Sequence, residues 1–224
     1  MGLTLLALGV KIALPLIWNP TLISKSLDIS RRQGRPEAIR DTHHRLCNQM
    51  AERSPYSLCF CGSLDPPTRY EDSRFVVVPI PYDHTCTYGT GARFGPRAIL
   101  EASANIELYD EFLDCEPYRA GIWTHESVEP VVTGPKEMTE RVRSLIAGLL
   151  DESKTPILLG GEHSISLGAV EACRRKEPSL SVLVIDAHAD LRPEYQGSPY
   201  SHACVQRRFL DFGCPVVQIG IRSL

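Results

Sequence analysis

The sequence predicts an α/β protein, a parallel sheet flanked by helices, and three observations predict it. From Arg74 onward, short β-branched runs alternate with helix-like stretches, the order in which strands and their covering helices follow one another in such a sheet. The first strand candidate, Phe75 to Pro79 (FVVVP), is apolar without alternation, as a strand buried on both faces requires. Polar clusters stand directly after two later apolar runs, and in parallel sheets ligands bind beyond the carboxyl ends of the strands.

The elements follow in order. A Gly-rich loop, Tyr88 to Arg97, comes after the first strand; in it Gly95 can cap a helix and Pro96 can take the first helical position, with the helix running through Ala98 to about Ser103. Between Pro135 and Asp151 apolar residues fall at Met138, Val142, Leu145, Ile146, Leu149 and Leu150, an i, i+4, i+7, i+8, i+11, i+12 stripe that predicts a helix. Ile157 to Leu159 reads as a strand, Ile165 to Arg175 as a helix, Val182 to Ile185 as a strand, Ala203 to Phe212 as a helix and Val216 to Ile219 as a strand. Right-handed crossovers between them place all the strands parallel, with their carboxyl ends along one edge.

The 224 residues, 43% hydrophobic and 23% charged, suffice for one sizeable core. Residues 1–65 are expected to form a poorly structured arm and residues 66–224 the domain. Met1 to Trp18 is apolar, but Lys11 and Pro15 interrupt it, and it has neither an early basic cluster nor a small-residue cleavage site, so neither a signal sequence nor a membrane span is expected. A net charge of −3 offers no basic stripe for nucleic acid. The 8 cysteines are scattered, and Cys59 and Cys61 form the sole close pair; free thiols in a reducing cytoplasm are expected.

Two segments carry the chemistry. Gly160-Gly161-Glu162-His163-Ser164 follows the strand at Ile157, and Asp186-Ala187-His188-Ala189-Asp190 follows the strand at Val182. Side chains at i, i+2 and i+4 of an extended segment share a face, so Asp186, His188 and Asp190 are expected to converge, with His163 arriving from the neighbouring strand end. Charged groups at the end of a buried strand are costly unless paired or bound to metal. Carboxylates and imidazoles without thiolates favour a hard ion such as manganese over structural zinc. Taken alone, the Gly-Gly pair is more simply a tight turn and His163 a helix-start residue; D-x-H-x-D at a strand end is the more specific signal.

These motifs, with Pro81-Tyr82-Asp83, GTGARFGPRAI, Ser201-His202-Ala203-Cys204 and VVQIGIRS, resemble the ureohydrolase (arginase) family, most of all agmatinases, from about Tyr70 to Leu224. The resemblance implies a three-layer arginase-like fold, two manganese ions, and hydrolysis of a cationic guanidino compound such as agmatine to urea and an amine. On the matching positions His163, Asp186 and Asp190 would bind one ion and Asp186 and His188 the other. Asp190 and His202 would be catalytic, Asp190 by orienting the nucleophile and His202 by shuttling protons or contacting substrate. Family members also assemble as trimers or hexamers, so a homo-oligomer is expected. GGEHS and DAHADLR lean toward agmatinase over arginase, while guanidinobutyrate and arginine stay open and no residue is identified for the substrate's tail.

The family's second pair of aspartates, in an S-x-D-x-D segment, has no counterpart before Leu224. The fold is therefore expected to lack its C-terminal portion and the second metal site to be incomplete, because two aspartates cannot neutralise two divalent ions. A catalytically dead scaffold that pairs with a longer relative is the alternative. A phosphoesterase would want a downstream G-N-H-E segment, which is absent, and a one-zinc deacetylase would not need Asp190 at this spacing.

Overall fold

The structure, a computed structural model, describes residues 58–62, 64 and 68–223. The elements are β1 (Phe75–Ile80), α1 (Gly95–Ser103), β2 (Ile122–Thr124), α2 (Pro135–Asp151), β3 (Thr155–Gly160), α3 (Ile165–Lys176), β4 (Val182–Ile185), α4 (Val205–Asp211) and β5 (Val216–Ile219). Most of the expected arm lies outside the described residues. Residues 58–62 do not: Phe60 packs on Val77, Leu100 and Leu159, and its amide donates to Thr124 Oγ1 at 2.9 Å.

All strand pairs are parallel, as expected, but the strands form two ladders, β2-β1-β3 and β4-β5, where one was expected. A crossover through α3 fixes the direction of β4 relative to β3 without making the two adjacent. Sequence pattern carries direction and burial, and adjacency escapes it. The three-residue β2 escaped too, being too short for any periodicity to show.

β1 is the central strand of the first ladder and is buried from Val76 to Ile80. It contains Pro79, which a central strand ordinarily excludes for want of an N–H. The ladder explains the exception. Odd-numbered residues of β1 face β2, since Phe75 N donates to Gly121 O and Val77 O accepts from His125 N. The pairing with β2 ends at Val77, so at Pro79 a strand partner is absent on that side and its carbonyl alone is used, by Val128 N at 2.9 Å.

Helix α2 buries Met138, Val142, Ile146, Leu149 and Leu150, with Leu145 half-buried beside them. Burying each of these large side chains contributes about 1.5–3 kcal/mol. α3 is buried nearly all round at Ile165 to Val170, Ala172 and Cys173, the mark of a helix enclosed within the molecule. It approaches α2 so closely that a Cβ on Gly168 would lie 2.3 Å from Thr139 O and 2.8 Å from Arg143 N. Helix α1 begins one residue earlier than expected, with Phe94 at the cap, and a short 3-10 turn, His202–Cys204, precedes α4. No helix among the described residues is long and apolar enough to cross a membrane.

Candidate metal centre

The site begins where β3 ends. A Cβ on Gly161 would lie 2.1 Å from Tyr82 O and 2.8 Å from Tyr82 N, so glycine alone lets this turn lie against the end of β1. The next amide, Glu162 N, donates to Tyr82 O at 2.8 Å. Two buried polar side chains, Glu162 and His163, are set by this contact.

His163 Nδ1 stands 2.6 Å from Asp190 Oδ2 and 3.5 Å from Asp186 Oδ2. One ligand atom from each of the three lies within 4.8 Å of the others. All three side chains are nearly enclosed, at 5–6% exposure. Two aspartates held together out of water repel each other, and a divalent cation among them relieves that repulsion. Carboxylate and imidazole donors without sulfur suit a hard or borderline ion, so the residues present fit manganese.

The route by which these residues meet differs from the extended segment expected. β4 ends at Ile185, and His188 N turns back to donate to Asp186 Oδ1 at 3.0 Å. At Asp190 the backbone is left-handed, φ 47°, a conformation that aspartate tolerates better than most residues. The carbonyl of Asp190 accepts from Gln206 N and Arg207 N at 3.1 and 3.3 Å, tying it to the start of α4. A bend therefore replaces the i, i+2, i+4 alternation, and His188 pays for it in position: its side chain is 57% exposed and stands outside the trio, with Nδ1 3.3 Å from Asp186 Oδ1.

A cavity of about 470 Å³ opens over His163 and Asp190, lined also by Tyr88, His188, Arg192 and His202 among others. His202 is thus placed on the same cavity as the carboxylates. Its ring meets Tyr195 edge-on, with centroids 5.8 Å apart, and Arg192 lies over Tyr195 at 4.8 Å.

Sequence reasoning gave no role to two supporting groups. Asp83, fully enclosed, accepts from Gly91 N at 3.0 Å and from Arg93 Nε at 2.6 Å. The Arg93 hydrogen bond, against the opposing effect of burial, holds the Asp83 carboxyl below its ordinary value. It anchors the Gly-rich loop whose Tyr88 and Ala92 line the cavity beside Thr87. Glu162 is the second: its carboxylate accepts from Thr85 N and Thr85 Oγ1 at 2.6 Å each and from Ser164 Oγ at 2.5 Å. A carboxylate beside His163 and a threonine after Tyr-Asp-His were visible, but their pairing spans 77 residues and no local pattern reports it.

A parallel α/β scaffold with a buried aspartate–histidine trio beyond its strand ends defines a class of protein whose residues fit a hard divalent cation. The arginase-family model matches residues 73–224, and the chain belongs to the arginase family. It is 42% identical over 165 residues to an N(1)-aminopropylagmatine ureohydrolase of Synechocystis sp., covering 70% of this chain and 53% of that protein. It is 35% identical over 156 residues to an agmatinase of Bacillus cereus, covering 69% and 54%. Among solved structures, the agmatine ureohydrolase of Thermoplasma volcanium superposes with a TM-score of 0.66 at 34% identity, covering 79% of this chain and 58% of that one. The fold is arginase-like, and the chain spans about half the length of the curated relatives it matches.

Proposed function

We propose that this chain is a manganese-binding ureohydrolase that splits a linear cationic guanidine into urea and an amine. The observation that carries the reading is the buried trio His163, Asp186 and Asp190 gathered within 4.8 Å, of which His163 and Asp190 line the cavity. His163, Asp186 and Asp190 would hold one ion, and Asp186 with the nearby His188 would contribute to a second. Manganese, when bound, acidifies water so that a nucleophile exists at neutral pH.

The chain's own residues do the rest. A guanidinium carbon is a poor electrophile, since its charge is spread over three nitrogens, and the attacking water must be aimed. Asp190 accepts a hydrogen bond from that water and later passes a proton toward the leaving nitrogen. His202, on the same cavity, moves a proton between the leaving amine and solvent. The carboxylates of the floor attract the cationic substrate.

The relatives named above divide between agmatine and its N(1)-aminopropyl derivative, and both are linear and cationic. The proposed substrate class is the one they share. Manganese binding by calorimetry, with urea release from agmatine and from N(1)-aminopropylagmatine, tests the reading. The expected result is manganese binding that His163→Ala abolishes, with any urea release lost in the same variant. Absence of manganese binding to the 224-residue chain would overturn it. A second reading has its own observation: Leu183, Ile185, Val217 and Ile219 leave an apolar face exposed on the β4–β5 ladder. In that reading the chain is a catalytically inactive scaffold that pairs with a longer relative, and binding of manganese without urea release until that relative is added would favour it.

A further inference from the structure

We infer that Glu162, acting through Thr85, fixes the neutral form of His202 as the tautomer protonated on Nδ1, so that Nε2 carries the basic lone pair. The inference deepens the functional reading above and rests on it for its purpose, though not for its test.

The argument is a count of protons. Thr85 Oγ1 has one proton and two lone pairs. Three groups surround it: Glu162 Oε1 at 2.6 Å, the backbone N–H of His202 at 3.0 Å and the His202 ring Nδ1 at 3.0 Å. The backbone N–H can only donate, which uses one lone pair. An ionised carboxylate can only accept, so the hydroxyl proton goes to Glu162. Thr85 N and Ser164 Oγ donate to the same carboxylate.

What is left for the ring is the second lone pair of Thr85 Oγ1. Two electron-rich atoms do not sit 3.0 Å apart without a proton between them, and the remaining proton is that of Nδ1. The hydroxyl of Thr85 is then saturated, with one bond given and two received. Ser201 Oγ also lies near Nδ1, at 3.3 Å, and accepts from it as a weaker second partner. The reverse pattern, Ser201 donating to a bare Nδ1, would set that nitrogen's lone pair against the lone pair of Thr85 at the shorter distance.

Glu162 and Thr85 are accordingly positioning residues. They set which nitrogen of His202 can take a proton in the cavity, and neither touches substrate. A histidine free to choose would divide its population between two tautomers, and only the fraction with a basic Nε2 would be competent.

Nitrogen-15 NMR of the imidazoles tests this in the metal-free chain, at a pH where His202 is neutral, with its signals assigned by their loss in His202→Gln. The expected wild-type signature is a protonated Nδ1 and an unprotonated Nε2. In Glu162→Gln the amide oxygen takes the Thr85 N–H, the amide NH2 then donates to Thr85 Oγ1, and the hydroxyl turns to donate to Nδ1. The protonated nitrogen is therefore expected to switch to Nε2, whereas Thr85→Ser retains the wild-type signature and Thr85→Val loses it. Wild-type protonation on Nε2 would overturn the inference. So would a signature unchanged in both Glu162→Gln and Thr85→Val; and if Glu162→Gln fails to fold, the Thr85 pair decides. No substrate or metal enters the measurement, so a failed urea assay leaves this result standing, and a wrong tautomer leaves the functional reading standing.

Discussion

The two ladders of this molecule are built from similar residues and live in different surroundings. In the first, Val76, Val77, Val78 and Ile80 are at most 1% exposed, enclosed by neighbouring strands and by helices. In the second, Ile185 is 76% exposed and Val217 58%, although β4 and β5 are equally rich in branched apolar side chains. Strand composition therefore records the burial a strand is suited to, and the burial it receives depends on what else packs there. The aspartate–histidine trio draws on both regions, with His163 following the enclosed ladder and Asp186 and Asp190 following the open one.

The contrast can be broken by substitution. Ile146→Ala, in the core under the first ladder, is expected to cost about 2–5 kcal/mol, seen as a lower urea midpoint at unchanged slope. Gly168→Ala forces α2 and α3 apart and is expected to cost about 1–3 kcal/mol by the same measurement. Arg93→Met sharpens the contrast by a smaller amount, because half of the guanidinium is in water. That contribution has a pH signature. The folded Asp83 carboxyl sits below its ordinary 3.8, so the pair's contribution is complete above that value and fades as pH falls through the depressed folded value. Acid denaturation of wild type and Arg93→Met should therefore converge below pH 3.8 and separate above it. Ile185→Thr, on the open ladder, is expected to change stability by no more than about 0.5 kcal/mol. It should reduce self-association in light scattering, since exposed apolar strands template association.

The fold was legible wherever a pattern is local. The stripe from Met138 to Leu150 marks α2 because one helix face repeats along the chain, and the β-branched runs at Phe75 and Val182 mark strands for the same kind of reason. The division into two ladders was not legible, because adjacency of β3 and β4 leaves no trace in either strand's own residues. At the site, the identities of His163, Asp186 and Asp190 were readable as polar residues beyond apolar runs. The bend that brings the two aspartates together was not, since alternation assumes an extended chain and Asp190 adopts φ 47° instead. The supporting contacts, Glu162 to Thr85 and Asp83 to Arg93, depend on folding that carries distant or loop-bound groups to one point.

Gly161 bears on how this scaffold can change. Main-chain atoms of two crossing segments touch there, with no space for even a methyl group between them. A crossing of that kind cannot drift by small steps, so the turn that carries Glu162 and His163 is inherited whole. Diversity in what the cavity accepts then has to come from its other lining residues, Thr87, Tyr88, Arg192 and Tyr195 among them. Libraries aimed at new ligands for this cavity have their productive positions there.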